Sequence, residues 1–159
     1  MVRRAKIKDV PAIVTLISDW AQKGDMLGRS RLQVYTALRD FVVIEEDEQI
    51  IACGALHIVW DDIAEIRSLA VNPEHLRKGY GRQIVDFLLR DARELECPKI
   101  FSLTYKPEFF KKFGFQEIDK SELPHKVWKD CINCPKFPDC DEIAMLHILA
   151  PSADHQDNP

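Results

Sequence analysis

Arg77, Lys78 and Arg82 surround a pair of glycines, Gly79 and Gly81, with Tyr80 between them, a grouping suited to holding a pyrophosphate. Glycine lets the backbone come close to a ligand, successive N–H groups can face one way, and a helix that starts there adds partial positive charge. The three cations supply full charges. A short G-x-G by itself specifies no more than a phosphate and is also found in ordinary surface turns. Upstream, Glu65 and Arg67 stand two apart in a β-rich run. Strand alternation puts them on one face with Leu69, carboxylate and guanidinium roughly 6–7 Å apart. Such a pair points a carboxylate and a guanidinium into the same space, or remains a solvated ion pair of little energetic weight.

These residues require a strand, a tight turn and a long helix in succession. Residues 64–71 read as the strand, and Asn72-Pro73 ends it. Ile84, Val85, Leu88, Leu89 and Ala92 recur at helical spacing, which predicts a helix over residues 79–94 with one buried face. Further upstream, residues 2–7 read as a strand. Asp9 reads as the N-cap of an amphipathic helix, residues 10–20, whose Ile13, Leu16, Ile17 and Trp20 share a face. Residues 24–29 form a loop, and Ser30 with Gln33 has capping-box spacing for a helix starting at Arg31 and running towards Leu38. The β-rich runs 41–44 and 50–59 flank a polar stretch and read as a hairpin, with the next turn at Asp61-Asp62. Downstream come a strand at 99–104, a short helix at 107–113 with Pro107 in its first turn, and strands at 115–118 and 142–149. Residues 123–141 hold three cysteines and three prolines without any period and read as an irregular insertion. The polar tail, residues 151–159, is expected to fray. The order of elements predicts an α/β protein, an α+β sandwich with one central mixed sheet flanked by helices, in a single domain over residues 1–150.

Composition narrows the function classes. The net charge of −4 over 159 residues argues against a broad nucleic-acid footprint, and no apolar run approaches the roughly 20 residues of a membrane span. The start, Met1-Val2-Arg3-Arg4-Ala5-Lys6, lacks the apolar stretch of a secretory leader, and five cysteines, an odd number, suit reduced thiols in a cytoplasm. A homodimer is left open.

Leu69-Ala70-Val71-Asn72-Pro73 followed by Gly79-Tyr80-Gly81 resembles the acetyl-CoA signature of the GCN5-related N-acetyltransferase (GNAT) superfamily, with Leu76 where that signature usually has Arg or Gln. Phe109-Phe110-Lys111-Lys112-Phe113-Gly114-Phe115 is similar to the superfamily's later aromatic and Gly-Phe element. Within the superfamily the chain most resembles N-acetylglutamate synthases of the short stand-alone bacterial type. Three stretches carry that likeness: Leu27-Gly28-Arg29-Ser30, then Ala64-Glu65-Ile66-Arg67-Ser68-Leu69-Ala70-Val71, and the run that begins Leu123-Pro124-His125-Lys126-Val127-Trp128 and continues to Asp141-Glu142.

The resemblance implies an amino-acid N-acetyltransferase that uses acetyl-CoA as co-substrate and L-glutamate as acceptor, the opening step of arginine synthesis. It places the cofactor on Leu69, Ala70, Val71, Arg77, Lys78, Gly79, Tyr80, Gly81 and Arg82, with the backbone N–H groups of Ala70 and Val71 polarising the thioester. Glu65 is implied as the base, acting through a water. The tyrosine that many relatives use as acid is replaced by Phe110, and Tyr105 lies nearby as a substitute or as a packed tyrosine. Arg29, Arg67 and Lys106, with Ser30 as hydrogen-bond donor, are the candidates for the acceptor's carboxylates; each also reads as a surface cation, or for Ser30 as the helix cap. Rival readings are an acetyltransferase for glutamine, a polyamine or a protein N-terminus, and a non-catalytic acetyl-CoA or metal sensor. Cys131, Cys134 and Cys140, completed by His125, His147, Asp130 or Asp141, could hold a structural zinc; alternatively they are small buried residues in a proline-fixed loop.

Overall fold

A computed structural model describes residues 1–124, Val127 and residues 141–149. The strands are β1 (Val2–Arg4), β2 (Phe41–Glu46), β3 (Gln49–Ile58), β4 (Ile63–Val71), β5 (Lys99–Thr104), β6 (Gln116–Ile118) and β7 (Ile143–Ile148). The helices are α1 (Val10–Gln22), α2 (Arg31–Thr36), α3 (Tyr80–Glu94) and α4 (Pro107–Lys111). Hydrogen bonding orders the strands β1-β2-β3-β4-β5-β7-β6 in one mixed sheet, in which β4 and β5 run parallel. This is the α/β architecture that the alternation of elements predicts. No helix among the described residues is long and apolar enough to cross a membrane.

The chain divides into two compact units, Met1–His57 with Ile66–Arg90, and Ile58–Glu65 with Asp91–Pro159. In the first, α1 buries Val10, Ile13, Leu16 and Ile17 against Phe41, Val43, Cys53, Ala55 and Ala70. The β2–β3 hairpin closes through Asp47 and Glu48 with φ of 50° and 63°, two left-handed residues that match the twist of the flanking strands. α3 lies so close to β3 that a Cβ on Gly54 would come within 2.5 Å of Ile84 Cγ2. In the second unit, Ile63, Phe101, Leu123, Val127 and Ala144 form the core. There β5 pairs antiparallel with β7, Lys99 opposite Ile148.

Asp9 departs from the role expected of it. It ends a short 3-10 turn, Ile7–Asp9, and makes no side-chain cap to α1. Its carboxylate instead receives both terminal nitrogens of Arg3, at 2.7 and 3.1 Å, and the Lys6 N–H at 2.7 Å. The guanidinium fork is a stronger partner than a helix amide, and the same turn stops β1 at Arg4 rather than at residue 7. The Arg31 helix starts where the capping box puts it and ends at Thr36, two residues short, in a 3-10 turn over Leu38–Asp40.

Candidate active site

The turn after β4 is fixed by Asn72. Its N–H bonds the Ile51 carbonyl at 2.7 Å, its own carbonyl accepts from His75, and its side chain accepts the Glu74 N–H at 2.9 Å. Leu76 is extended, Arg77 has φ of 64° and Gly79 φ of 85°, while Lys78 between them is not left-handed. Alternating backbone hand turns successive N–H groups towards one side and makes a concavity for an anion. The first full-turn bond of α3 runs from Gln83 N–H to the Gly79 carbonyl, so the amides of Tyr80, Gly81 and Arg82 precede the ladder and project from the helix start. Arg77, Lys78 and Arg82 are exposed around it. This donor set fits a pyrophosphate, and all six residues expected to cradle one, Arg77 to Arg82, form a single continuous backbone feature.

Two neighbours of this cradle carry no signal in the sequence. The Tyr80 hydroxyl donates to Glu46 at 2.7 Å, which holds its proton more tightly than usual. His75 has its Nδ1 buried with no hydrogen-bond partner among the described residues, and its ring lies 6.2 Å from that of Tyr80. Both relationships arise only on packing.

β4 contains a β-bulge. Val59 N–H bonds the Ile63 carbonyl and Asn72 N–H bonds the Ile51 carbonyl, and between these two points β4 uses one residue more than β3. Ser68, with φ of 56°, is the left-handed residue in this stretch. Beyond it, the N–H of Ala70 faces the Cys53 sulfur and the N–H of Asn72 bonds the Ile51 carbonyl, both on the β3 side. Alternation therefore turns the Leu69 and Val71 amides to the opposite edge, where the Trp20 indole N–H donates to the Val71 carbonyl at 2.8 Å. The Ala70 amide, expected to face a thioester, lies on the side of Cys53. The Val71 and Leu69 amides share the other side.

The remaining candidates lie in both units. In the first, Arg29 is half-buried in the loop that leaves α1, and Arg67 is half-buried on β4. Ser30 is the N-cap of α2: its hydroxyl accepts from Gln33 N–H at 3.1 Å while the Gln33 side chain takes the Ser30 N–H at 2.8 Å. In the second, Glu65 is half-buried opposite Phe101. Lys106 is exposed at the N-cap position of α4. The Tyr105 hydroxyl donates to Asp141 at 2.6 Å. Phe110 is buried in an aromatic cluster, its ring 5.3 Å from Phe109 and 5.2 Å from Phe115.

The Gly-Phe element is the stop of α4. Phe115 N–H bonds the Phe110 carbonyl and Gly114 N–H bonds the Lys111 carbonyl, with Gly114 at φ of 89°, the paired bonds of a glycine C-cap that includes the apolar contact between its first and last residues. Cys131, Cys134, Cys140, His125 and Asp130 lie outside the described residues. Of the other proposed ligands, Asp141 accepts from Tyr105, and His147 Nδ1 is 2.9 Å from the Gly114 carbonyl. Among the described residues no group of three or more His, Cys, Asp or Glu side chains could hold a metal ion.

Residues 12–115 match the Acetyltransferase (GNAT) family. An uncharacterized N-acetyltransferase of Chlorobaculum tepidum is 41% identical over 93% of this chain and 96% of its own length. An amino-acid acetyltransferase of Mycobacterium tuberculosis is 39% identical over 82% of this chain and 76% of its own. Among solved structures, Rv2747 of M. tuberculosis, in complex with CoA and a second ligand, superposes with a TM-score of 0.81 at 35% identity, covering 94% of this chain and 99% of that one. N-acetylglutamate synthase from Neisseria gonorrhoeae, complexed with coenzyme A and N-acetyl-glutamate, gives a TM-score of 0.86 at 28% identity, covering 94% of this chain but 35% of that one.

Proposed function

Because the chain belongs to the GNAT acetyltransferase family, we propose that it moves the acetyl group of acetyl-CoA to the α-amine of L-glutamate, giving N-acetylglutamate for arginine synthesis in the cytoplasm. The observation that carries the cofactor half is the alternating-hand backbone of Arg77 to Gly79 leading into α3, directly after a strand whose Leu69 and Val71 amides face away from β3. The acceptor half is supported by relatives named for amino-acid acetylation and by the N-acetyl-glutamate of the Neisseria structure.

In this reading the pyrophosphate sits on the amides of residues 78–82 with Arg77, Lys78 and Arg82 as counter-charges. The pantetheine arm pairs with the edge of β4, and an amide of Leu69 or Val71 donates to the thioester oxygen, where negative charge develops. Glu65, through a water, takes a proton from the substrate ammonium. The freed amine attacks the carbonyl carbon, the C–N bond forms, the tetrahedral oxyanion collapses and the C–S bond breaks. Phe110 has no proton to give, so the thiolate takes the second proton that the newly bonded nitrogen must lose, directly or through water. Arg29 and Arg67, planar forks suited to carboxylates, take the two acid groups of glutamate, with Lys106 and the Ser30 hydroxyl as further donors.

Thiol release from acetyl-CoA, measured against a panel of amino acids, amines and peptides, tests this. Turnover greatest with glutamate is expected. If glutamate and glutamine were both inert while another amine reacted, the acceptor assignment would fall. Elemental analysis of protein purified without chelator tests a structural zinc on Cys131, Cys134 and Cys140 independently of the chemistry.

A further inference from the structure

A serine at φ of 56° inside a strand is costly, by about 1–3 kcal/mol, and persists only where its surroundings hold it there. Against the Ser68 carbonyl lies a side chain of the facing strand. Cys53 Sγ lies 3.5 Å from the Ser68 carbonyl oxygen, to which it donates, and accepts the N–H of Ala70. One atom thus meets the backbone groups on both sides of Leu69. A bulge disrupts the main-chain ladder locally, and buried peptide groups there need a substitute partner. The sulfur, with its longer bond and diffuse lone pairs, spans the gap that the extra residue opens.

We propose that Cys53 is a positioning residue for acetyl transfer: its thiol serves as the ladder partner of the bulge and so fixes the direction in which the Leu69 and Val71 amides face. This rests on the reading above, in which one of those amides polarises the thioester. The residue is fully buried, opposite Val43 of β2 in the sheet and in the same core cluster as Ile17 of α1. Burial pushes its thiol up to about 12, so at neutral pH it keeps its proton, can donate, and does not act as a nucleophile that would carry the acetyl group.

The test compares four variants of the full chain with wild type. Cys53→Ala removes both hydrogen bonds and volume. Cys53→Val restores volume without hydrogen bonds and serves as a second removal should the alanine variant not fold. Cys53→Ser restores a donor and an acceptor on one atom. Ile17→Val perturbs the same core remote from β4. Each is assayed for kcat and both KM values well below its own Tm. Expected are a kcat about tenfold lower in the alanine and valine variants, a fraction of the 10²–10³ lost when an oxyanion donor is deleted outright. Both KM values should stay within about twofold, the serine variant should recover most of the rate, and Ile17→Val should lower Tm only. An unchanged kcat in Cys53→Val, or a serine variant as slow as the valine one, overturns the proposal while leaving acetyl transfer intact. Absence of wild-type turnover with every amine would instead sink the parent reading and this one with it.

Discussion

The imidazole of His147 occupies the space into which a side chain on Gly114 would project: a Cβ there would lie 3.0 Å from Cε1 and 3.2 Å from Nδ1, and that Nδ1 is itself 2.9 Å from the Gly114 carbonyl. The ring also stacks on Phe115, centroids 5.3 Å apart. Gly114→Ala should therefore destabilise by about 2–4 kcal/mol, combining left-handed strain with overpacking. Adding His147→Ala should return the overpacking share, so urea unfolding of the double variant should show clear non-additivity. Full additivity would mean that strain alone excludes a side chain.

Arg3 and Asp9 give the first unit an acid-labile tie. Asp9 is held below the ordinary carboxylate range first by the Arg3 hydrogen bonds, with burial opposing and the Lys6 amide assisting. A lowered folded value means stability that is complete above the unfolded value of 3.8 and is lost as pH falls below it. Arg3→Ala should cost about 2–3 kcal/mol at pH 7, below the range for fully buried pairs because Arg3 is a quarter exposed. Chemical denaturation at pH 7 and again at pH 2–3 should show that gap narrowing in acid; a gap that stays constant would refute the assignment.

Gly79 and Gly54 should respond to alanine in opposite ways. At Gly79 a Cβ meets nothing within 4 Å, yet φ is 85°, so the cradle is strained without a clash. Gly79→Ala should raise the acetyl-CoA KM by about tenfold and lower stability by about 1 kcal/mol. Gly54→Ala, with Ile84 Cγ2 at 2.5 Å, should lower stability by about 1–3 kcal/mol and leave that KM within twofold. Steady-state kinetics beside thermal melts separate the two.

Glu65→Gln should lower kcat by about 10²–10⁴, the usual yield of a general base, with both KM values little changed. The acid limb of the pH–rate profile should vanish with it. A variant that keeps the wild-type limb would move the base elsewhere.

Arg29→Ala should raise the glutamate KM by about 10–100-fold, the loss of one charge-assisted fork, while acetyl-CoA binding measured calorimetrically stays put. If neither constant moved, the acceptor's carboxylates would be held by other residues.

What could be read from the chain depended on how far apart the deciding atoms are in sequence. Ser30 and Gln33 declare their capping box because both halves lie within four residues, and the α3 face declares itself because Ile84, Val85, Leu88, Leu89 and Ala92 repeat with the turn. Asp9 looks like a cap from its local sequence because its stronger partner, Arg3, is a tertiary one although close in sequence. The bulge at Ser68 has no local signature: a serine in a β-rich run looks like any strand residue, and only the register against β3 exposes the extra one. Gly114-Phe115 was legible as a motif, but its physical cause, a helix stop packed on His147, needed a residue 33 positions away.

The extra residue in β4 makes the strand sensitive to counting. After Ser68, even-numbered amides serve the fold and odd-numbered ones face outward, a division that depends on residue number and hardly at all on residue type. Most side-chain exchanges at residues 69–71 would preserve that division. Deleting one residue there, or inserting one, would swap the two roles and point the donors of Leu69 and Val71 back into β3, silencing the strand while leaving its composition almost unchanged. Indels in this short stretch should thus be far less tolerated than substitutions.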